Sequence, residues 1–90
     1  MQKTGRMLML KAYVLMNTEL GQEEAVVKAL STVEGIEGIH ALYGIYDVIA
    51  EVKAESMEKV KEIVFTKIRR LENVRTTITL ITYGESFIRE

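Results

Sequence analysis

A chain of 90 residues with 12 basic and 13 acidic side chains has a net charge of −1 and the length of one domain. It shows no one-sided excess of Lys and Arg of the kind that neutralises nucleic-acid phosphates, so direct nucleic-acid binding is not expected. The absence of cysteine excludes disulfides, thiol nucleophiles and thiolate metal sites together.

No apolar run approaches the roughly 20 residues that span a bilayer, so no membrane partner is expected. The basic opening Met1-Gln2-Lys3-Thr4-Gly5-Arg6 leads past Lys11 without a small-residue cleavage site, and a cytoplasmic location is expected. Scarce Asn and Gln beside many Glu and Lys lean towards a thermophilic source, while the five Met lean the other way. A domain of this size buries about 60 to 65% of its unfolded surface, so its core holds a thin margin over chain entropy and oligomerisation would help.

Taken in order, residues 1–7 read as a polar lead, with Met7 serving as well as Met1 for a start, residues 8–84 as the folded domain, and residues 85–90 as a tail. From Leu8 to Met16 the spacing is that of a strand, with Leu8, Leu10, Ala12, Val14 and Met16 on one face and Met9, Lys11, Tyr13 and Leu15 on the other. Both faces are apolar, which points to a sheet covered on both sides. Asn17-Thr18-Glu19-Leu20-Gly21 is a turn. Gln22 to Val33 then carries Val26, Leu30 and Val33 at helical spacing, with Ala29 beside them. Glu23 and Glu24 favour its positive end, and Gly35 is expected at its C′ position.

Ile36 to Tyr43 and Tyr46 to Lys53 form the next two strands, with a bulge expected at Gly38. Between them Gly44-Ile45 suits a two-residue type II′ hairpin, because the first central residue needs positive φ. The amides of such a turn form a small anion-binding concavity. The same residues also read as a plain hairpin with a carboxylate beside it. Ser56 is the expected N-cap of a helix from Met57 to Leu71, whose stripe is Met57, Val60, Val64, Ile68 and Leu71. Phe65 falls at its flank or partly in solvent, and Lys67-Ile68-Arg69-Arg70 places cations at its negative end. Val74 to Tyr83 is a β-branched strand alternating Thr77, Thr79 and Ile81 against Ile78 and Leu80, and the tail offers Phe87 and Ile88 as docking residues.

The order strand, helix, strand, strand, helix, strand is that of an α+β ferredoxin-like βαββαβ sandwich: a four-stranded antiparallel sheet with two helices on one face. Its helix-covered side is expected to comprise Leu10, Ala12, Val14, Val48, Ala50, Val52, Ile78 and Leu80. The other side would then expose Met9, Tyr13, Leu15, Ile49 and Ile81, and a second copy packing sheet to sheet, in the manner of a dimeric α/β-barrel, is the simplest cover.

Little supports an enzyme. His40 is the only histidine, nucleophilic or metal chemistry needs it beside a Ser, Cys or second ligand, and on the second strand it reads as a half-exposed structural residue. The pairs Glu23-Glu24 and Glu34-Glu37 fall on helix ends or loops, where solvated charge is the ordinary explanation. No phosphate-cradling glycine loop is present and no cofactor is expected. A sheet that stacks RNA bases would carry aromatics and cations along its third strand, and Tyr46-Asp47-Val48-Ile49-Ala50-Glu51-Val52 offers one aromatic and two acids. What remains is a polar cluster. Asp47, Thr77 and Thr79, expected to point away from the helices, would join the Gly44 turn in supplying acceptors for an ammonium and donors for a carboxylate. Threonines that simply fill a strand explain the same residues equally well.

Three stretches carry a family likeness: Gly21 with the helix ending in Ala29-Leu30, then Gly44-Ile45-Tyr46-Asp47-Val48, then Val74-Arg75-Thr76-Thr77-Ile78-Thr79 leading into Leu80-Ile81. Together they resemble the effector-binding (RAM) domain of the Lrp/AsnC, or feast/famine, transcriptional regulators, here as a stand-alone copy. The resemblance implies a ferredoxin-like fold, dimers paired through their sheets, further assembly into octameric rings or similar discs, and an amino-acid effector held between dimers. Carried over by resemblance, the effector site is Gly44, Ile45, Tyr46 and Asp47 at the turn with Thr77 and Thr79 on the last strand. Members of the family carry an N-terminal winged helix-turn-helix, whereas only Met1 to Met7 precede the first strand here. The resemblance therefore implies a non-enzymatic amino-acid sensor that modulates transcription by associating with full-length regulators. The alternatives are a structural partner subunit that binds no ligand, and a small enzyme of the dimeric α/β-barrel type.

Overall fold

The computed structural model describes residues 9–83, so the expected lead, Leu8 of the first strand, and the tail with Phe87 and Ile88 lie outside the described residues. Strand β1, Leu10–Thr18, buries Ala12, Val14, Met16 and Thr18 on alternate positions, as its spacing predicts. It continues past Met16, taking Asn17 and Thr18 out of the expected turn.

Helix α1, Glu23–Leu30, buries Val26 and Leu30 against the sheet. It stops short of Val33 because Ser31 and Thr32 satisfy its last carbonyls locally: their hydroxyls donate to the carbonyls of Lys28 and Ala29 at 2.6 and 2.8 Å. Gly35 is therefore not the helix's C′ residue. Its φ of +98° leads the chain into strand β2, Ile36–Ala41, and its carbonyl accepts the Lys53 N–H at 2.8 Å. The expected bulge is present, since the pairing with strand β3, Val48–Ala54, slips between Ile36 and Gly38.

The connection between β2 and β3 corrects the expected two-residue turn. Segment 42–47 is a loop, and both Tyr43 and Tyr46 lie outside the strands. Bonds from β1 explain this: the Asp47 N–H donates to the Met16 carbonyl at 2.9 Å, and the Asn17 amide donates to the Ile45 carbonyl at 2.8 Å. The local ladder keeps one rung beyond the strands, from the Leu42 N–H to the Asp47 carbonyl at 2.8 Å, and the tether to β1 holds the rest of the loop.

Helix α2, Met57–Ile63, is capped as expected, with the Lys59 N–H donating to Ser56 Oγ at 3.1 Å. It then widens into a π-helical turn, Val64–Ile68, closed by the Arg69 N–H on the Val64 carbonyl at 2.8 Å. Val60, Val64 and Ile68 are buried as expected, but Ile63 joins them while Met57 is 48% exposed and drops out of the stripe. Regular helix ends before Leu71, and Asn73, at φ +77°, turns the chain into strand β4, Val74–Ile81.

The strands lie in the order β2-β3-β1-β4, each neighbour antiparallel, with both helices packed on one face: the ferredoxin-like sandwich its element order implies. Among the described residues no helix is long and apolar enough to cross a membrane. The facing of β4 reverses the expected one. Thr77, Thr79 and Ile81 stand opposite Met16, Val14 and Ala12 on the helix side, while Ile78 and Leu80 stand opposite Leu15 and Tyr13 on the open side. The strand's more apolar parity thus faces away from the helices.

Candidate functional site

Three surfaces bear on function: the open sheet face, the loop 42–47, and a groove beside α2. On the open face Tyr13, Leu15, Ile49, Ile78 and Leu80 form contiguous cross-strand neighbours. Ile78 and Leu80 are 42% and 52% exposed, an arrangement that leaves aliphatic surface in water unless another body covers it. Two ion pairs join strands here, Lys11 Nζ 2.8 Å from a Glu51 carboxylate oxygen and Lys53 Nζ 3.6 Å from one of Glu37. The hydrogen bond to Glu51, and then its charge, hold the Lys11 ammonium above the ordinary lysine range. His40 lies exposed on the same side, opposite Ile49.

Loop 42–47 closes one end of the sheet. Gly44 adopts φ +153° at its tip, and the flanking Tyr43 and Ile45 are almost wholly exposed, as is Leu20 in the turn after β1. Tyr46 and Asp47 are half-buried. Asp47 holds the loop: its Oδ2 accepts the Thr18 N–H at 2.8 Å, with Thr18 Oγ1 at 3.5 Å. Its Oδ1 receives no hydrogen bond among the described residues. Thr76 extends the tether, donating from Oγ1 to Asn17 Oδ1 at 2.9 Å.

The structure brings Gly44, Ile45, Tyr46 and Asp47 together but does not add the threonines to them. Thr77 and Thr79 face the helices, so the expected cluster of Asp47 with two hydroxyls on the open side is not formed. Asp47→Ala is consequently expected to cost stability as well as any ligand contact. Loss of a charge-assisted bond to a half-buried amide should lower unfolding free energy by about 1.5 kcal/mol in a urea titration, and Asp47→Asn, which keeps an acceptor, should lose less.

The threonines line a groove of about 490 Å³ between β4 and α2, walled by Val64, Phe65 and Ile81 and rimmed by Lys61 and Arg69. The Arg69 guanidinium lies 5.4 Å from the centroid of the Phe65 ring. Sequence reasoning placed Phe65 at the helix flank and Arg69 at its end without joining them. Their i, i+4 spacing beside an edge strand was the signal available. Among the described residues no group of three or more His, Cys, Asp or Glu side chains is gathered to hold a metal ion.

A family model described as the Lrp/AsnC ligand binding domain matches residues 11–89. The crystal structure of FFRP-DM1 superposes with a TM-score of 0.78 at 27% identity, covering 82% of this chain and 99% of that one. The structure of TTHA0845 from Thermus thermophilus gives 0.81 at 25% identity, over 89% of this chain and 99% of that one. A feast or famine regulatory protein from M. tuberculosis, solved in complex with L-methionine, gives 0.74 at 21% identity. It shares the fold over 88% of this chain, which spans about half (53%) of that regulator's length. No curated protein sequence matches closely enough to count as a relative.

Proposed function

The chain belongs to the Lrp/AsnC ligand-binding domain family, and from that premise we propose that it is a non-enzymatic amino-acid sensor that works as a sheet-to-sheet dimer. The observation that carries this reading is the facing of β4. A lone domain gains nothing by turning Ile78 and Leu80 to water and Thr77 and Thr79 to its helices, whereas a domain whose open face packs on a second copy buries both.

The effector site we propose is the loop: Gly44 and Ile45 amides for the carboxylate, Tyr46 beside them, and Asp47 Oδ1 for the ammonium, while Oδ2 keeps its bond to Thr18. Thr77 and Thr79 face the helix side of the same chain, apart from this loop, and would reach the effector only from a neighbouring copy. The exposed Tyr43, Ile45 and Leu20 around the tip suit a seam between dimers, where higher assembly would enclose the effector. L-methionine in the M. tuberculosis regulator supports an amino acid as the ligand class. Transcriptional control would follow from association with full-length regulators of the family.

The test is the mass in solution with and without a panel of amino acids. A dimer or larger assembly whose mass or thermal midpoint changes with one of them supports the reading. A monomer at every concentration removes the dimer and the seam together. A stable oligomer indifferent to all amino acids would instead make the protein a structural partner subunit.

A further inference from the structure

The loop does not account for a second concavity, at the start of β4. Arg69, Val74, Arg75, Thr76 and Thr77 surround a hollow of about 340 Å³ where the π turn of α2 meets that strand. Through Arg69 and Thr77 it runs into the groove walled by Val64, Phe65 and Ile81. One end of the combined cleft is cationic and hydroxylic and the other is apolar. Among the described residues no carboxylate lines either part. Among the described residues Arg69 has no ion-pair partner, and Arg75 has only Glu19 at a loose 3.9 Å with both side chains largely in solvent. Such a pair contributes little and is readily exchanged for a better-placed anion.

We propose that this cleft binds a small monocarboxylate with a branched apolar tail and no ammonium group, in the manner of a 2-oxo acid or short fatty acid. The carboxylate sits between the Arg69 and Arg75 guanidiniums with the Thr77 hydroxyl as a further donor. The tail lies along Ile81 and Phe65, whose ring is left 62% exposed by the protein itself. An amino acid fits less well here, because an ammonium would meet Lys61, Arg69 and Arg75, and among the described residues the one carboxylate in reach, that of Glu19, is held by Arg75 outside the lining. The cleft shares no lining residue with loop 42–47, although Thr76 is joined to that loop through Asn17, and its chemistry does not rest on the effector reading.

The experiment is an amide-resolved NMR titration of the intact protein with 4-methyl-2-oxopentanoate, L-leucine and sodium sulfate as probes. The oxo acid is expected to give saturable shifts in segment 64–81, with L-leucine at least tenfold weaker at those residues. Arg69→Gln and Arg75→Gln, both exposed and outside the core, should each weaken the oxo acid about tenfold or more, the loss expected for one charge-assisted contact. Asp47→Asn should leave it unchanged, and Phe65→Ala should flatten the dependence on tail length. Sulfate binding as tightly as the oxo acid, parental affinity in both arginine variants, or the absence of saturable shifts in this segment would each overturn the proposal.

Discussion

Leu15→Asp is expected to convert the protein to a monomer. Leu15 lies on the open face between Ile49 of β3 and Ile78 of β4, at the centre of the aliphatic surface. It points away from the helices, so the change leaves the core of Val14, Met16, Val26, Leu30, Val48 and Ile68 untouched. In a two-fold interface every substitution occurs twice. Each copy forfeits about 2 kcal/mol of leucine burial and places a carboxylate on a face where, among the described residues, Lys11 and Lys53 are already paired with Glu51 and Glu37. A rise in the dimer dissociation constant of about a thousandfold or more follows. Sedimentation equilibrium reads the mass, and circular dichroism confirms that the monomer keeps its fold. An unchanged mass would show that the open face is not the interface.

Gly35→Val is expected to be the most damaging of the glycine substitutions. A Cβ at Gly35 would stand 2.8 Å from Ile63 Cδ1, and the residue's φ is +98°. Ile63 is 6% exposed and packed in the core, so its δ-methyl can retreat only by turning toward the hollow that it lines together with Gly35. Left-handed strain and overpacking each cost about 1 to 3 kcal/mol. Their sum, about 2 to 6 kcal/mol, is a large fraction of the roughly 5 to 15 kcal/mol that holds an ordinary domain. Gly21 supplies the control: its φ is +76°, but a Cβ there meets nothing within 4 Å. Gly21→Ala should lose only the strain, about 1 kcal/mol. Urea titrations of the two variants separate the effects, and equal losses would mean that Ile63 repacks freely.

Both predictions turn on residues whose roles were only partly legible in the chain. Gly35 was readable as a positive-φ glycine, but the helix it was expected to end stops at Leu30, where Ser31 and Thr32 take the final carbonyls. The apolar character of Tyr13, Leu15 and Ile49 was legible as a second apolar face, and the family likeness agrees with the match over residues 11–89. The loop residues Gly44 to Asp47 were legible as one local group, though their conformation was not. The proposed carboxylate cleft was not legible, because it joins the end of α2 to the start of β4 across a turn.

The order of elements, the inward parity of β1 and β3, the Ser56 cap and the bulge at Gly38 were determined by the sequence alone. Each depends on spacing or side-chain chemistry within a few residues. The facing of β4, the length of the loop and the bond from Asp47 to Thr18 were decided by the tertiary structure. An edge strand whose threonine-bearing and aliphatic parities both suit a sheet takes its facing from its register against β1, and the loop takes its shape from Met16 and Asn17, far away along the chain.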